Sequence, residues 1–448
     1  MMNQPNVVKI IPQENIVSTK PVAPSGMDKI RIVGGQKLSG TIRVSGAKNA
    51  ALPLMCAALL TGDAIQFTNM PTGLGDIKTL SSVLSELGAR CASPEDNTLI
   101  IQAKEITSTC APYDLVRKMR ASILVLGPLL ARAGAAEVSL PGGCAIGTRP
   151  VDLHIDGLKA MGAVIDLEDG YIKASAPKGL KGTKITFPKV SVGATENLMM
   201  AASLAKGETI LVNAAKEPEI MDLGNCLIAM GAHIEGLGTD TIKIMGVKAL
   251  HGCTHDVIPD RIETGTWMIA ACLTGGYLRL EHARLDDLSA LIAPLTEAGL
   301  KIEEDGADVI VHRNGAPLKG TDIMTEPYPG FPTDLQAQFM TMLTLCEGAG
   351  MVTETIFENR FMHVPELVRM GADIRPQGNS AIVRGVKKLK GAEVMATDLR
   401  ASVALVLAAL VAEGETTIGR IYHLDRGYEN IVQKLQNCGA KIERFTPA

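Results

Sequence analysis

One structural phrase recurs six times along the chain, and this repeat limits the possible folds more than any other feature. Each copy is a small-residue turn that follows an apolar helical segment and leads into a strand-like segment. The copies are LGARC (87–91), MGAVI (161–165), MGAHI (230–234), AGLKI (298–302), MGADI (370–374) and CGAKI (438–442). Their glycines recur about every 70 residues, which indicates a repeated unit with a helix that stops at each glycine.

A second phrase recurs out of phase with the first. Six helices rich in Ala, Leu and Met each end near a glycine and run into a β-like segment. Their predicted starts are Lys48, Arg120, Thr195, Arg261, Thr333 and Asp398. Their predicted ends are Gly62, Gly134, Gly207, Gly275, Gly348 and Gly414. Each unit therefore holds two helices and several strands, which predicts an α/β protein.

The length of 448 residues is more than one ordinary core supports, so we expect at least two domains. Six units divide into two groups of three, and solenoids usually have shorter repeats. We predict two globular lobes with internal threefold pseudo-symmetry: lobe 1 over 48–258, and lobe 2 over 27–47 plus 259–448. Residues 1–26 are polar and proline-containing without an apolar signal-peptide core, and we predict a flexible extension there.

Composition argues against several classes of function. A net charge of −4 and 3% aromatic residues do not favour a nucleic-acid or anionic membrane partner. The longest apolar stretch, 401–412, is shorter than the roughly 18 to 20 residues of a membrane span. Nine scattered cysteines without a CxxC pair predict neither a disulfide framework nor a zinc knuckle, and favour the cytoplasm. Walker A, HExxH and GxSxG motifs are absent, so no metal or cofactor is predicted.

Cys144 lies in a loop, SLPGGCAIGTRPVDLHI (139–155), whose glycines and prolines are incompatible with a helix or a central strand. A nearby cation such as Arg149 lowers the pKa of a thiol, and a bound polyanion would raise it again. The thiol would then suit a general acid. The alternative is a loop cysteine without chemistry. Asp152 and His154 equally suit the polar start of the next helix.

Lys48 and Asn49 begin the apolar helix of SGAKNAALPL (45–54). Backbone N–H groups, the helix dipole and an ammonium group together favour a phosphate or a carboxylate. A solvated lysine in a first helical turn is the alternative.

Asp334 stands at the start of another helix, in FPTDLQAQF (331–339), where a carboxylate can accept the proton of a substrate hydroxyl. Thr333 and Gln336 also fit a capping box, in which Asp334 would only stabilise the helix dipole. Three C-terminal arginines offer guanidinium groups that bind carboxylate or phosphate through two hydrogen bonds. They are Arg360, Arg400 and Arg426. Two of them closely follow an aspartate, so structural ion pairs are the alternative.

Ten motifs, taken in order, resemble those of the enolpyruvyl transferases of the EPSP synthase superfamily, and in particular the UDP-N-acetylglucosamine 1-carboxyvinyltransferases. They are SGAKNAALPL, APYDLVRKMRAS, SLPGGCAIGTRPVDLHI, KVSVGAT, EPEI, DRIETGT, FPTDLQAQF, ETIFENRFMHVPEL, MATDLRAS and RIYHLDRGYE. The resemblance runs from about Met27 to the C-terminus. It implies a two-lobed inside-out α/β barrel with three βαβαββ units in each lobe.

The resemblance also implies a reaction. The enolpyruvyl group of phosphoenolpyruvate would move to the 3-hydroxyl of UDP-N-acetylglucosamine through a tetrahedral ketal, with release of phosphate. This is the first committed step of peptidoglycan biosynthesis, and it implies no cofactor, metal, nucleic acid or membrane partner.

Roles for individual residues follow from the same resemblance. Cys144 would protonate C3 of phosphoenolpyruvate, form an adduct with it and be alkylated by fosfomycin, and Asp334 would be the base near the sugar hydroxyl. Phosphoenolpyruvate would contact Lys48, Asn49, Arg149, Arg360, Asp398, Arg400 and Arg426. UDP-N-acetylglucosamine would contact Arg120, Arg149, Pro150, Val151, Asp152, Leu153, Lys189, Ser191, Val192, Gly193, Asp334 and Ile356.

Leu124 departs from the resemblance, because some members have Trp there; the expected consequence is local packing. Three other readings stay open. EPSP synthase shares the fold and the donor, although PGGC and RPVDLHI argue against it. A catalytically silent UDP-sugar sensor would keep the same residues. A cysteine hydrolase built on Cys144 and His154 lacks an identifiable orienting partner.

Overall fold

The computed structural model describes residues 28–117, 119–140, 151–313 and 315–447. They form two compact units. The first unit contains 46–117, 119–140 and 151–258, and the second contains 28–45, 259–313 and 315–447. Cys144, Arg149, Pro150 and the segment 1–26 lie outside the described residues.

The described residues form short strands that alternate with helices. The strands are β1 (Lys29–Val33), β2 (Ser39–Arg43), β3 (Ala64–Thr68), β4 (Arg90–Ala92), β5 (Leu99–Gln102), β6 (Cys110–Ala111), β7 (Ala135–Ser139), β8 (Val164–Glu168), β9 (Tyr171–Ser175), β10 (Lys184–Thr186), β11 (Glu208–Val212), β12 (His233–Glu235), β13 (Thr241–Met245), β14 (Thr254–Asp256), β15 (Tyr277–Glu281), β16 (Leu300–Asp305), β17 (Asp308–Arg313), β18 (Ile323–Met324), β19 (Ala349–Thr353), β20 (Asp373–Gln377), β21 (Ser380–Arg384), β22 (Glu393–Met395), β23 (Glu415–Gly419) and β24 (Lys441–Phe445).

The helices are α1 (Lys48–Ala57), α2 (Gly75–Glu86), α3 (Tyr113–Val116), α4 (Leu126–Ala133), α5 (Asp152–Ala160), α6 (Val192–Ala202), α7 (Pro218–Ala229), α8 (Arg261–Thr274), α9 (Ser289–Ala298), α10 (Gln336–Leu343), α11 (Val364–Arg369), α12 (Leu399–Val411) and α13 (Ile431–Asn437). Shorter 3-10 helices cover Ala58–Leu60, Arg120–Val125, Asp286–Leu288, Thr333–Leu335 and Ile421–Arg426. The predicted α/β class is confirmed.

The sheets repeat one topology. The described residues of the first unit form three four-stranded sheets, in the orders β14-β3-β5-β4, β6-β7-β9-β8 and β10-β11-β13-β12. Those of the second unit form three more, in the orders β16-β17-β15-β2, β18-β19-β21-β20 and β22-β23-β1-β24. Every sheet has one parallel pair at an edge and two antiparallel pairs. The sixfold repeat predicted from the sequence is therefore a repeat of one sheet.

The turn glycines explain why the sequence phrase recurs. The first glycine set, Gly88, Gly162, Gly231, Gly299, Gly371 and Gly439, has φ between 88° and 112°. This left-handed backbone ends each helix and is disfavoured for residues with a Cβ atom. Of the second set, Gly62 alone is not left-handed, because the 3-10 turn Ala58–Leu60 ends that helix and Thr61 returns the chain to an extended conformation.

Each unit contains buried helices that contact one another. In the second unit α8, α10 and α12 contact one another, and every residue of α8 is buried. In the first unit α6 contacts α1 and α4. A helix that is apolar on all sides is stable only when it is surrounded by protein, which accounts for the Ala-, Leu- and Met-rich composition. Among the described residues, no helix is both long and apolar enough to cross a membrane.

Candidate active site

Asp334 of the second unit lies between two buried arginines. Its Oδ1 accepts a hydrogen bond from Arg360 Nη2 at 2.7 Å, and its Oδ2 accepts one from Arg400 Nη2 at 2.7 Å. The arginine side chains are 4% and 5% exposed, whereas that of Asp334 is 25% exposed. The carboxylate is thus the member of this cluster that a ligand can reach most readily.

The starts of two helices bring these groups together. Asp334 lies in the 3-10 turn that leads into α10, and Arg400 lies in the first turn of α12, which packs against α10. Asp398 is the N-cap of α12, because its Oδ1 accepts hydrogen bonds from the backbone N–H of Arg400 and Ala401 at 2.8 and 3.1 Å. The guanidinium of Arg400 therefore pairs with the distant Asp334, whereas the adjacent Asp398 caps the helix.

Arg400 is also held from its other side. Its Nη1 donates to Tyr428 Oη at 3.4 Å, and that hydroxyl is hydrogen-bonded to Thr266 Oγ1 at 2.9 Å. Burial opposes the charge on Arg400, but Asp334, Tyr428 and Asp260 together raise the pKa of Arg400. Burial raises the pKa of Tyr428, so its hydroxyl stays protonated at neutral pH. The cluster therefore keeps a fixed positive charge inside the protein.

Glu354 organises the backbone beside Asp334. Its Oε2 accepts a hydrogen bond from Thr333 Oγ1 at 2.9 Å, and its Oε1 accepts from the N–H groups of Ile356 and Phe357 at 2.8 and 3.1 Å. The capping box at Thr333 is therefore wrong: the Thr333 hydroxyl donates to Glu354, and no side chain caps this turn.

The charges of Arg426 and Asp398 both affect the pKa of His423. Burial lowers the pKa of His423 and the charge of Arg426 lowers it further, while Asp398 opposes them. The Asp425 carboxylate, next to Arg426 in the chain, instead accepts two hydrogen bonds from Arg444 at 2.9 and 3.0 Å. The sequence suggested Asp425 as an ion-pair partner for the adjacent Arg426. The Asp425 carboxylate thus pairs with Arg444.

Lys48 of the first unit is not a solvated lysine. It is 9% exposed, and its Nζ lies 3.3 Å from Asp76 Oδ2 of α2. No acidic residue lies in the first turn of α1, and no side chain caps it. Asn49 follows in the same turn and is half-buried. The start of α1 therefore carries a buried lysine–aspartate ion pair.

His154 is held neutral in the first unit. Gly127 N donates to Asn197 Oδ1 at 2.7 Å, so the amide nitrogen of Asn197 faces His154 Nδ1 at 2.9 Å. Nδ1 must then accept a hydrogen bond, which leaves the proton on Nε2. Burial, together with the charge of Arg120, lowers the pKa of His154 to about 4.

Several residues predicted to contact the sugar nucleotide surround His154. Helix α5, which begins with Asp152 and Leu153, packs against α6, whose N-cap is Ser191. A Cβ atom on Gly193 would lie 3.4 Å from His154 Cε1. Val151 is buried, Val192 is half-buried and Lys189 is exposed. Within the first unit, the structure thus brings 151–153 and 191–193 to one region and places Arg120 within electrostatic range of it.

Comparisons with known proteins identify the family. Residues 32–435 match the family model of EPSP synthase (3-phosphoshikimate 1-carboxyvinyltransferase). A UDP-N-acetylglucosamine 1-carboxyvinyltransferase of Rhodospirillum centenum is 60% identical over 428 residues, which cover 93% of this chain and 99% of that relative. The chain belongs to the UDP-N-acetylglucosamine 1-carboxyvinyltransferase family. It is accordingly a transferase.

Solved structures show the same fold. The enolpyruvyl transferase NikO from Streptomyces tendae has a TM-score of 0.85 and 26% identity, with 94% of this chain and 99% of that chain covered. EPSP synthase from Acinetobacter baumannii has a TM-score of 0.71 and 20% identity, with 93% and 100% covered. This chain therefore has the mixed α/β fold of these enzymes.

The sequence analysis did not identify four residues that take part in the hydrogen bonds of this site. They are Thr266, Gln338, Glu354 and Tyr428, and each lies in one of the family-like motifs or at its edge. Gln338 Nε2 donates to the backbone carbonyl of Asp334 at 2.8 Å, which fixes the turn that carries the carboxylate. For Thr266 and Gln338, a polar residue inside an otherwise apolar helix was the available signal, because buried polar groups need partners.

Proposed function

We infer that this chain transfers the enolpyruvyl group of phosphoenolpyruvate to the 3-hydroxyl of UDP-N-acetylglucosamine and releases phosphate. This is the first committed step of peptidoglycan biosynthesis. The near-full-length identity to transferases of this name supports the reaction. The geometric observation that carries it is the Arg360–Asp334–Arg400 cluster, a carboxylate between two buried cations.

We propose that Asp334 is the base and that Arg360 and Arg400 hold the carboxylate of phosphoenolpyruvate. In the free protein Asp334 occupies both guanidinium groups. A substrate carboxylate that takes over these donors would leave Asp334 less stabilised as an anion, so its proton affinity would rise. Binding of one substrate would thereby prepare the base for the other.

The proposed chemistry balances without further reactants. C3 of phosphoenolpyruvate gains a proton, and the sugar oxygen bonds to C2 while its hydroxyl proton passes to Asp334. The tetrahedral ketal then loses phosphate as C3 gives up a proton. Fixed cations stabilise the charge that develops in such steps. We propose Lys48, Arg149 and Arg426 for the phosphate, with Asn49 and Asp398 beside them.

For UDP-N-acetylglucosamine we propose contacts from both units. In the first unit they come from Arg120, Arg149, Pro150, Val151, Asp152, Leu153, Lys189, Ser191, Val192 and Gly193. In the second unit they come from Asp334 and Ile356. The grouping of 151–153 with 191–193 around His154 supports the first set, and the Glu354 hydrogen bond to Ile356 N supports the second.

We propose Cys144 as the acid that protonates C3, as the thiol that forms the phosphoenolpyruvate adduct and as the site of alkylation by fosfomycin. Its support is the loop motif alone, because Cys144 lies outside the described residues. Peptide mass mapping after fosfomycin treatment tests this role. The expected result is one modified peptide containing Cys144; modification of another cysteine alone would contradict it.

Finer points of architecture and location are proposals as well. We propose that each unit is an inside-out barrel of three βαβαββ repeats, which the three like sheets and buried helices of each unit support. We assign lobe 1 (48–258) the cysteine loop and lobe 2 (27–47 plus 259–448) the base and the arginines. We place the enzyme in the cytoplasm, which the scattered cysteines favour.

Phosphate release with two acceptors tests the reaction. Purified protein is given phosphoenolpyruvate with either UDP-N-acetylglucosamine or shikimate 3-phosphate, the acceptor implied by the name of the matching family model. We expect phosphate release with UDP-N-acetylglucosamine only. Turnover only with shikimate 3-phosphate would identify an EPSP synthase. Sugar-nucleotide binding without turnover would identify a sensor.

A further inference from the structure

Two cysteines of the first unit stand beside a histidine–aspartate pair, and the proposed function uses none of these four residues. Cys226 and Cys253 are both free cysteines, and each thiol affects the pKa of the other. His255 Nε2 lies 2.9 Å from Asp222 Oδ1. Cys226 is fully buried, whereas Cys253 is partly exposed. One thiol of the pair is therefore accessible to a small oxidant.

Secondary structure holds the two thiols in register. Asp222 and Cys226 are one turn apart on α7, so they share a helix face. Cys253 and His255 are two residues apart in extended chain, since Cys253 O accepts a hydrogen bond from Gln66 N and continues the pairing of β14 with β3.

The two spacings match. Four helical residues rise about 6 Å, and two strand residues rise about 6.6 Å. The hydrogen bond between His255 and Asp222 therefore places Cys253 opposite Cys226. The proximity of the two thiols thus follows from the hydrogen bond that joins α7 to β14 at Asp222 and His255.

The environment distinguishes the two sulfurs. The neighbouring Cys226 thiol lowers the pKa of Cys253 and the charge of His255 lowers it further, while burial opposes both. The neighbouring Cys253 thiol and burial raise the pKa of Cys226. Burial opposes the charge on His255, but Asp222, Cys253 and Asp256 together raise the pKa of His255. Since the thiolate is the reactive form, Cys253 is the nucleophile and Cys226 the resolving thiol.

We propose that Cys226 and Cys253 form a peroxide-sensitive dithiol that closes to a disulfide. The Cys253 thiolate attacks one oxygen of hydrogen peroxide, the O–O bond breaks, and hydroxide leaves and takes a proton to become water. Cys253 is now a sulfenic acid. The Cys226 sulfur attacks it, the S–O bond breaks, and the oxygen leaves as water with the Cys226 proton. Two thiols supply the two electrons that reduce one peroxide to two waters.

A metal site is the other chemistry that cysteine, histidine and aspartate suggest. Across the described ranges, which include all four residues, no group of three or more such side chains is arranged to hold a metal ion. The cluster therefore favours oxidation over metal binding.

Peptide mapping of the full-length protein tests the proposal without reference to transferase activity. The protein is treated with a small molar excess of hydrogen peroxide, blocked with N-ethylmaleimide and digested without reductant. We expect the Cys226 and Cys253 peptides to be joined, with a mass two hydrogens below their sum. Both cysteines carrying N-ethylmaleimide after treatment would overturn the proposal.

Matched variants identify the partners. Cys226→Ser is expected to leave Cys253 as a sulfenic acid that dimedone labels, whereas Cys272→Ser, at a buried cysteine of the second unit, should leave the linkage unchanged. The linkage should also persist in Cys144→Ser. Its disappearance there, or a link between Cys253 and any other cysteine, would assign the chemistry to a different thiol and refute the pair.

His255→Asn tests the order of the steps. This change removes the imidazole charge beside Cys253, so disulfide formation should slow severalfold while the final linkage stays the same. An unchanged rate would contradict Cys253 as the activated nucleophile.

Discussion

The two units build buried polar clusters with opposite electrostatics on the same sheet topology. In the second unit Asp334 and two arginines stay charged, because each charge has an opposite partner at 2.7 Å. In the first unit His154 stays neutral, because burial disfavours its charge, Arg120 disfavours a second positive charge and its partner Asn197 carries none. The two units share one sheet topology, and the residues placed on their helices decide whether charge is retained.

This contrast suggests that the two clusters suit different kinds of chemical group. Buried guanidinium groups suit an anion, since charge-assisted hydrogen bonds are stronger than neutral ones. A neutral imidazole with a fixed tautomer suits uncharged hydrogen-bonding groups. Four predictions test the contrast, and each is paired with a control in the same chain.

Asp334→Asn should have the largest effect. Removal of a general base lowers turnover about 10²- to 10⁴-fold, and loss of one partner of a buried ion pair costs about 3 to 5 kcal/mol of stability. Phosphate release and thermal unfolding measure the two effects. Asp308→Asn is the control, because Asp308 pairs with the half-exposed Arg279 and should matter little. Near-normal turnover of Asp334→Asn would remove it from the mechanism.

Arg400→Lys should have the next largest effect. An ammonium keeps the charge but cannot reach both Asp334 and Tyr428, so one charge-assisted hydrogen bond is lost. The expected decrease in kcat/KM for phosphoenolpyruvate is about 10- to 100-fold, or about 1.5 to 3 kcal/mol. Arg279→Lys, on the surface strand β15, should leave it unchanged. Equal effects of the two substitutions would contradict a special role for Arg400.

His154→Asn should reduce the loss of folding stability that occurs as the pH falls from 6.5 to 4. The folded pKa of about 4 lies below the ordinary value of 6.5, so the unfolded chain binds a proton first as the pH falls. Stability from neutral His154 is complete above pH 6.5 and lost progressively down to pH 4. At pH 5 the loss is about 2 kcal/mol. Urea unfolding at pH 7.5 and 5, with the exposed His233→Asn as control, measures it; parallel curves for wild type and His154→Asn would refute it.

Glu354→Ala should have the smallest effect of the four. It removes the acceptor for Thr333, Ile356 and Phe357, so the turn that carries Asp334 becomes less well fixed. A loss of about 1 to 1.5 kcal/mol corresponds to a roughly tenfold rise in KM for UDP-N-acetylglucosamine. Glu354→Gln should recover most of it. Glu366→Ala, which removes a surface acceptor for Met395 N, is the control. An unchanged KM in Glu354→Ala would contradict a positioning role.

The repeat made much of the fold predictable. The turn glycines and helix starts are local features, since a left-handed residue and an apolar helix are encoded within a few residues. The candidate residues at the helix starts were predictable for the same reason. The hydrogen-bond partner of Thr333 was not predictable, because its hydroxyl donates to Glu354, which lies 21 residues later in the chain.

The sequence by itself determined six repeated units and their helix ends, and it indicated candidate residues for the chemistry. Tertiary structure alone decided the partners: Asp334 with arginines 26 and 66 residues away, and Lys48 with an aspartate 28 residues away. The physical reason is that periodicity fixes the position of a side chain along its own helix. The charge that stabilises this side chain depends on which other helix start packs beside it.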